Sequence, residues 1–280
     1  MSDVIKVAIQ GDGPKCVTRA MMKRCLQGIK ELHHKLLCHG DLKTENIIFS
    51  NGEIFMIDFE QCHTVGPHPI CSKNLATPIY AAPETLMSWN IQSPLKDVYS
   101  FVFSLCNDFS KGQLLEIYED LCLQLQDEGV LKFKCIVNRA VHGLWKELMQ
   151  GADGGDEQAF CRMIDLCFLE QFEHMFTGQG FNMRTVKHYC HVDEEEDIWT
   201  SSDQNQPAVD QDNHVCDVAE AIKDAANKMR EHKVSRNTNL ILPVMLCSLA
   251  PVPRQRPTMD QIIHHWFGDV TSKKKPGKKP

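Results

Sequence analysis

Residues 39–46 read His-Gly-Asp-Leu-Lys-Thr-Glu-Asn, a polar run that lies between a predicted helix and a predicted hairpin. Before it, apolar residues recur every three or four positions from about residue 18 to about residue 36, which predicts a helix capped by Thr18. After it, apolar runs at 46–49 and 54–57 flank an Asn-Gly pair, the pattern of a β-hairpin. Because a hairpin returns the chain, the polar segment 58–60 is expected close to Asn46.

The order of motifs along the chain resembles the eukaryotic-type protein kinase family. Residues 39–46 are similar to its catalytic loop H-R-D-L-K-x-x-N, and the Asp-Phe-Glu at 58–60 is similar to its D-F-G. Further matches follow in the family's order, at residues 76–84 (closing in Ala-Pro-Glu), 97–101, 254–258 and 265–267. The resemblance implies an α+β, mainly helical, protein-kinase-like C-terminal lobe that uses ATP and Mg²⁺ on a protein substrate.

The catalytic residues that the resemblance implies also suit phosphoryl transfer chemically. Asp41 would act as the catalytic base that accepts the proton of a substrate hydroxyl, and Lys43 would place a cation on the migrating phosphoryl group. Asn46 and Asp58 would supply oxygen ligands, the type that Mg²⁺ prefers. The lysine two positions after the aspartate marks the serine/threonine type within the family.

Five more residues receive supporting roles from the resemblance. Thr77 would line the pocket beside the acceptor residue, and His39 would brace the catalytic loop. Asp97 would hold the backbone amides of that loop. Glu84 is expected to form a partly buried ion pair with Arg256, which would tie the activation segment to the last helices.

The sequence departs from the family at its N-terminal end. The family's N-terminal lobe carries a G-x-G-x-x-G loop and a V-A-I-K lysine that grip ATP phosphates, and it does not fit ahead of residue 39. Residues 7–10 read Val-Ala-Ile-Gln, with Gln where that lysine belongs, so no ATP lysine is found. We therefore expect residues 1–16 to be an N-terminal remnant and the N-terminal lobe to be largely missing.

Two substitutions and one insertion mark further departures. Gly40 replaces the family's Arg, so no guanidinium clamps a phosphorylated activation loop there, and Glu60 replaces the Gly of D-F-G. The chain from Asp97 to Arg256 is much longer than in the family, which predicts a helical and acidic insertion at about 111–237. The predicted kinase-like domain is 17–268, built from 17–110 and 238–268, followed by a basic tail at 269–280.

Sequence periodicity places further helices outside the catalytic motifs. Residues 60–79 lack a periodic pattern and are expected to form a long loop, while the glycine-rich residues 151–155 and the acidic residues 193–213 mark breaks. The expected helices are at 95–107, 113–126, 131–149, 156–175, 215–231, 238–249 and 258–266.

Composition limits the class of protein. The chain has 280 residues, 42% of them hydrophobic and 24% charged, as in ordinary globular proteins. A net charge of −7 argues against specific nucleic-acid binding, and no apolar run is long enough to cross a membrane. The N-terminus lacks a secretory pattern and the 13 cysteines show no C-x-x-C spacing, so an intracellular location, in cytoplasm or nucleus, is expected. The lysine-rich tail is a nuclear address, an anion contact or a solvated terminus.

Alternatives to an active kinase remain open at this stage. A truncated pseudokinase would keep the same residues as a scaffold and bind a partner, such as another kinase or its substrate. The chain could also be complemented in trans by a polypeptide that carries the missing N-terminal lobe. The H-G-D loop and the eroded motifs resemble those of kinases of large DNA viruses, which would place the protein in an infected host cell.

Overall fold

The structure is a computed structural model and describes residues 17–50, 53–65, 76–86, 93–151, 211–250 and 253–268. Its helices are α1 (Arg19–His34), α2 (Pro83–Leu86), α3 (Pro94–Phe109), α4 (Gln113–Leu125), α5 (Asp127–Gly151), α6 (Gln211–Glu231), α7 (Ile241–Ser248) and α8 (Met259–Phe267). Its strands are β1 (Leu37–Cys38), β2 (Ile47–Ser50), β3 (Glu53–Met56) and β4 (His63–Thr64). The described part is mostly helical with few strands, which is consistent with a kinase-like fold.

Helix α1 forms where the apolar period predicts it. The hydroxyl of Thr18 accepts a hydrogen bond from the backbone N–H of Met21 at 3.2 Å, so it caps the free amides of the first turn. The apolar face buries Met22, Cys25, Leu26 and Ile29. On the outer side, Asp260 of α8 bonds Lys30 and His34 of α1, which joins the first and last helices.

The predicted hairpin is confirmed and brings the two polar segments together. Strands β2 and β3 pair antiparallel, with Ile47 opposite Met56 and Ser50 opposite Glu53. The backbone N–H of Ile57 donates to the carbonyl oxygen of Asn46 at 2.9 Å, which extends the pairing by one step. Ile57 is thus bonded to Asn46, and Asp58 follows Ile57 directly in the chain.

The prediction of a long loop at 60–79 is wrong for its first residues. Residues 59–61 form a 3₁₀ turn, and β4 pairs antiparallel with β1, with Cys38 opposite His63. The local sequence does not predict this strand because its partner lies far away along the chain. Residues 66–75 of the same expected loop lie outside the described residues.

Helix α3 is the centre of the lobe. All 16 of its residues are buried, including the charged side chains of Lys96, Asp97 and Asp108. Ser93 caps it and Pro94 occupies its first position, where a missing N–H costs nothing. Helices α4, α5 and α6 pack with α3 in one continuous apolar core, so the predicted insertion contributes to the same core as the kinase motifs.

The other expected helices are confirmed to within a few residues where the structure describes them. Helix α6 begins at Gln211, earlier than expected and within the acidic break. The short helix α2 was not predicted. The expected helix at 156–175, the remnant 1–16 and the tail 269–280 lie outside the described residues. No helix among the described residues has the length and apolar character of a membrane span.

Candidate active site

The carboxylate of Asp41 lies at the centre of the candidate site. The ammonium of Lys43 donates to Oδ2 of Asp41 at 2.9 Å and to the hydroxyl of Thr77 at 2.6 Å. The backbone N–H of Thr77 donates to Oδ1 of Asp41 at 2.8 Å, and its hydroxyl lies 3.2 Å from Oδ2. The structure therefore brings together three of the predicted site residues, Asp41, Lys43 and Thr77, in one hydrogen-bonded group.

Asn46 and Asp58 lie at the end of the hairpin next to this group. The side-chain Nδ2 of Asn46 donates to the backbone carbonyl of Asp41 at 2.9 Å, so its Oδ1 is the end that remains to face a ligand. Asp58 is exposed and has a φ of 64°, a left-handed conformation that aspartate tolerates better than most residues. Among the described residues, no three His, Cys, Asp or Glu side chains cluster as a metal site. The oxygen donors of Asn46 and Asp58 still fit a hard cation such as Mg²⁺.

Asp97 holds the backbone that precedes Asp41. Its Oδ2 accepts hydrogen bonds from the backbone N–H of His39 at 2.7 Å and from Nε2 of His33 at 3.0 Å. Its Oδ1 accepts from the backbone N–H of Gly40 at 3.0 Å. Burial alone would raise the pKa of Asp97, but these hydrogen bonds outweigh burial and hold the pKa below its usual value. Asp97 thus stays ionised and fixes the catalytic loop to α3.

His39 connects the catalytic loop to the hairpin. Its Nε2 lies 2.9 Å from the carbonyl oxygen of Ile57 and donates to it, and its ring packs against Phe59 with a centroid distance of 4.9 Å. The other ring nitrogen, Nδ1, is buried without a hydrogen-bond partner in the described part of the chain. His39 therefore braces the residue that directly precedes Asp58.

Glu84 and Arg256 form a fully buried bidentate ion pair. Nη1 of Arg256 donates to Oε1 of Glu84 at 2.6 Å, and Nη2 donates to Oε2 at 2.8 Å. The guanidinium also donates to the carbonyl oxygens of Ala250 and Leu95 and lies 4.9 Å from the ring centroid of Tyr99. This contact fixes the end of segment 76–84 against the helices that follow.

The departure at Gly40 has a steric cause. Gly40 has a φ of +85°, and a Cβ built on it would lie 2.4 Å from the backbone oxygen of Gln61. The 3₁₀ turn after the hairpin thus approaches the catalytic loop so closely that, in this chain, only glycine fits without a shift.

We expect Gly40→Ala to lower the free energy of unfolding by about 2–3 kcal/mol, because it adds a clash to the cost of a positive φ. Gly112→Ala is the matched control: Gly112 has a φ of +88° but no atom within 4 Å of its built Cβ. The Gly112→Ala variant should lose only about 1 kcal/mol of its free energy of unfolding. Urea unfolding measures both, and equal losses would contradict the close approach of Gln61.

Sequence reasoning did not find the polar contacts around Glu45. The hydroxyl of Tyr80 donates to Oε1 of Glu45 at 3.2 Å and lies 3.4 Å from Nδ2 of Asn107. Burial, with the nearby charge of Glu45, raises the pKa of Tyr80, so it remains a neutral donor. The Thr44 hydroxyl donates to Oδ2 of Asp108 at 2.5 Å. The signal that could have indicated these contacts is the presence of Asn107 and Asp108 on a helix that is otherwise largely apolar.

Comparisons with known proteins agree with the geometry. A family model described as a protein kinase domain matches residues 4–132. The probable serine/threonine-protein kinase MARK-C of Dictyostelium discoideum is 29% identical over 130 residues, which are 46% of this chain and 15% of that relative. Cyclin-dependent kinase 7 of the same organism is 34% identical over 84 residues, 29% of this chain and 23% of that relative. The serine/threonine-protein kinase KIN28 of Saccharomyces cerevisiae is 33% identical over 84 residues, 29% of this chain and 28% of that relative.

The helical lobe and the hairpin that carries the group around Asp41 are consistent with a protein-kinase-like fold. The family model over residues 4–132 and these relatives support the resemblance to the eukaryotic-type protein kinase family on which the motif prediction was based. The chain spans less than a third of the length of the three relatives that it matches. The resemblance to kinases of DNA viruses stays a prediction.

Proposed function

We propose that this chain is the catalytic lobe of a serine/threonine protein kinase, which transfers the γ-phosphoryl group of ATP to a hydroxyl of a protein substrate. The observation that carries the proposal is the placement of Asp41: its carboxylate accepts from Lys43 at 2.9 Å and from the backbone of Thr77 at 2.8 Å. A base, a cation and a pocket residue thus meet at one point.

Each residue of this group has a task in the transfer. Oδ2 of Asp41 accepts the proton of the substrate hydroxyl as the hydroxyl oxygen attacks the γ-phosphorus. Lys43, which already bridges Asp41 and Thr77, neutralises charge on the transferred group. Thr77 fixes the orientation of the carboxylate through its backbone N–H. The side chains of Asp41 and Lys43 are mostly buried, 10% and 18% exposed, which strengthens these interactions.

Asn46 and Asp58 are the residues that would hold Mg²⁺. Oδ1 of Asn46 remains to face a cation because Nδ2 is bonded to the backbone of Asp41. When bound, Mg²⁺ neutralises the phosphate oxygens of ATP. Glu60, two residues after Asp58, adds a negative charge that the family does not have there.

Nucleotide binding is the step for which these 280 residues contain the fewest of the family's binding groups. They contain no G-x-G-x-x-G loop and no V-A-I-K lysine, so several charge-assisted bonds to the phosphates have no donor here. Each is worth about 1.5–3 kcal/mol. We propose that a kinase N-terminal lobe completes the ATP site.

A partner-binding pseudokinase is the second candidate function, and an exposed apolar patch favours it. Phe55, Ile57 and Phe59 are 51%, 37% and 44% exposed at the hairpin end that carries Asp58. An apolar patch of this kind is typical of a protein contact. Either a partner protein or an N-terminal lobe would cover this patch, and a phosphotransfer assay distinguishes the two.

A phosphotransfer assay tests the proposed function. The purified chain, alone and mixed with a kinase N-terminal lobe, is incubated with Mg²⁺, γ-labelled ATP and a mixture of Ser- and Thr-containing peptides. The kinase proposal predicts label on peptide hydroxyls and an Mg²⁺-ATP-dependent rise in melting temperature. A pseudokinase gives neither the label nor the nucleotide-dependent rise in either sample.

A further inference from the structure

Lys134 is a buried lysine in a place that the proposed chemistry does not use. It lies on α5, within the predicted insertion, and is 1% exposed. Its ammonium donates to the backbone carbonyl oxygen of Ile79 at 2.6 Å, across 55 positions of the chain. Ile79 lies in segment 76–84, two residues after Thr77. The helical insertion thus reaches the backbone of the pocket segment directly.

Aromatic rings surround the rest of the Lys134 ammonium. The nitrogen lies 4.8 Å from the ring centroid of Phe103, 5.1 Å from that of Tyr99 and 5.8 Å from that of Phe133. Such ring faces attract a cation, and they also form rigid walls around it. The Ile79 carbonyl is thus a directional hydrogen-bond acceptor within a largely apolar enclosure.

Nearby charges make this position costly for a cation. Burial and, to a smaller extent, the positive charge of Arg256 together lower the pKa of Lys134 to about 7, although the negative charge of Glu84 partly offsets them. Tyr99 is the remaining titratable group of the enclosure, and burial raises its pKa, so it stays neutral. Both the charged and the neutral amine keep an N–H that can donate to Ile79, so the contact persists through neutral pH.

The position would be easier to fill with an apolar side chain if packing were its sole purpose. Replacing buried charges by well-packed apolar groups of similar volume is often neutral or stabilising. What an apolar residue does not supply is a donor for the Ile79 carbonyl. The directional bond is therefore the distinguishing contribution of Lys134.

We propose that Lys134 is a positioning residue, which fixes the backbone at Ile79 and thereby places Thr77 and the acceptor pocket beside Asp41; this role rests on the proposed function. The same segment is held by Asp41 at Thr77 and by Arg256 at Glu84. Between those two points, the Tyr80 hydroxyl bonds Glu45 and Lys134 holds the backbone itself, at the turn where the N–H groups of Tyr80 and Ala81 both donate to the carbonyl of Thr77 at 2.9 Å.

Hydrogen–deuterium exchange in Lys134→Met tests the positioning itself, without requiring activity. Met keeps the length and apolar volume but has no donor. We expect the amides of Tyr80 and Ala81 to exchange about tenfold faster, whereas the amides of His39 and Gly40, bound to Asp97, keep their rates. Lys23→Met, at an exposed position of α1, is the matched control and should change neither pair.

The outcomes separate positioning from general stability. Unchanged exchange at Tyr80 and Ala81 overturns the proposal, and so does an equal acceleration of all four amides, which indicates a purely structural role. Lys134→Arg keeps a donor and a cation and should restore slow exchange. If Lys134→Met gives no cooperative thermal transition, Lys134→Gln, which retains an N–H donor, is compared with Lys134→Leu in the same way.

Kinetics then test the effect on the acceptor pocket. In the phosphotransfer assay, Lys134→Met should raise the peptide KM about tenfold while kcat and the KM for ATP change less than twofold, and Lys134→Arg should restore the peptide KM. An unchanged peptide KM overturns the link to the pocket. If the wild-type chain transfers no phosphate either alone or mixed with a kinase N-terminal lobe, the proposed function fails, and the exchange result still decides whether Lys134 positions the segment.

Discussion

Asp41→Asn is expected to lower the rate of phosphoryl transfer by about 10²–10⁴-fold, the usual contribution of a positioned general base. The amide has nearly the shape of the carboxylate, and its oxygen still accepts the N–H of Thr77. It cannot take up a proton, and its NH₂ group faces the ammonium of Lys43 where a carboxylate oxygen lies in the wild type. The loss should therefore appear in kcat, measured with γ-labelled ATP at saturating peptide.

The control for this change is Asp120→Asn on the exposed face of α4, where the carboxylate accepts only from Gln124 among the contacts seen. It should keep the wild-type kcat, and both variants should melt within a few degrees of the wild type. A kcat for Asp41→Asn above one tenth of the wild-type value would remove Asp41 from the role of base.

Arg256→Ala is expected to lower the free energy of unfolding by about 3–5 kcal/mol, because it leaves the carboxylate of Glu84 buried without its cation. Both side chains are fully buried, and the guanidinium also satisfies the carbonyls of Leu95 and Ala250. Since domains are stable by only about 5–15 kcal/mol, the loss is a large share of the total. Thermal and urea unfolding measure it.

An exposed ion pair of similar length provides the comparison. Lys223 and Glu147 are 2.5 Å apart with side chains 44% and 60% exposed, so Lys223→Ala should cost less than about 1 kcal/mol. Arg256→Met combined with Glu84→Gln should be less destabilising than Arg256→Ala alone, because no unpaired charge stays buried. An Arg256→Ala protein that melts at the wild-type temperature contradicts the buried pair.

The sequence predicts those parts of the fold in which local pattern and tertiary structure agree. Helix α1 follows from its apolar period and the Thr18 cap, and the pairing of β2 with β3 follows from the two apolar runs and the Asn-Gly pair between them in the sequence. The pairing of β1 with β4 was missed because two-residue strands have no period to read. The predicted insertion was treated as an addition to the lobe, whereas its helices complete the core around α3.

The candidate site, like the fold, was predicted from the sequence only in part. The motifs identified Asp41, Lys43 and Thr77, which the structure places within hydrogen-bond distance of one another. They could not reveal the obstruction at Gly40, since Gln61 meets it only in three dimensions. Lys134 carried a readable signal: it lies on the apolar stripe of α5, where a lysine needs an acceptor.

We propose above all that Asp41, Asn46 and Asp58 form one site, which receives a divalent cation with its nucleotide. NMR of the ¹⁵N-labelled chain with Mn²⁺ and ATP tests it most directly, because Mn²⁺ takes the oxygen ligands of Mg²⁺ and broadens nearby signals. The side-chain amide of Asn46 should disappear first, while that of Asn237, bound to His265, persists. Asp58→Asn should raise the Mn²⁺ concentration needed at least tenfold. Equal broadening of Asn46 and Asn237, or no effect of Asp58→Asn, would contradict the claim.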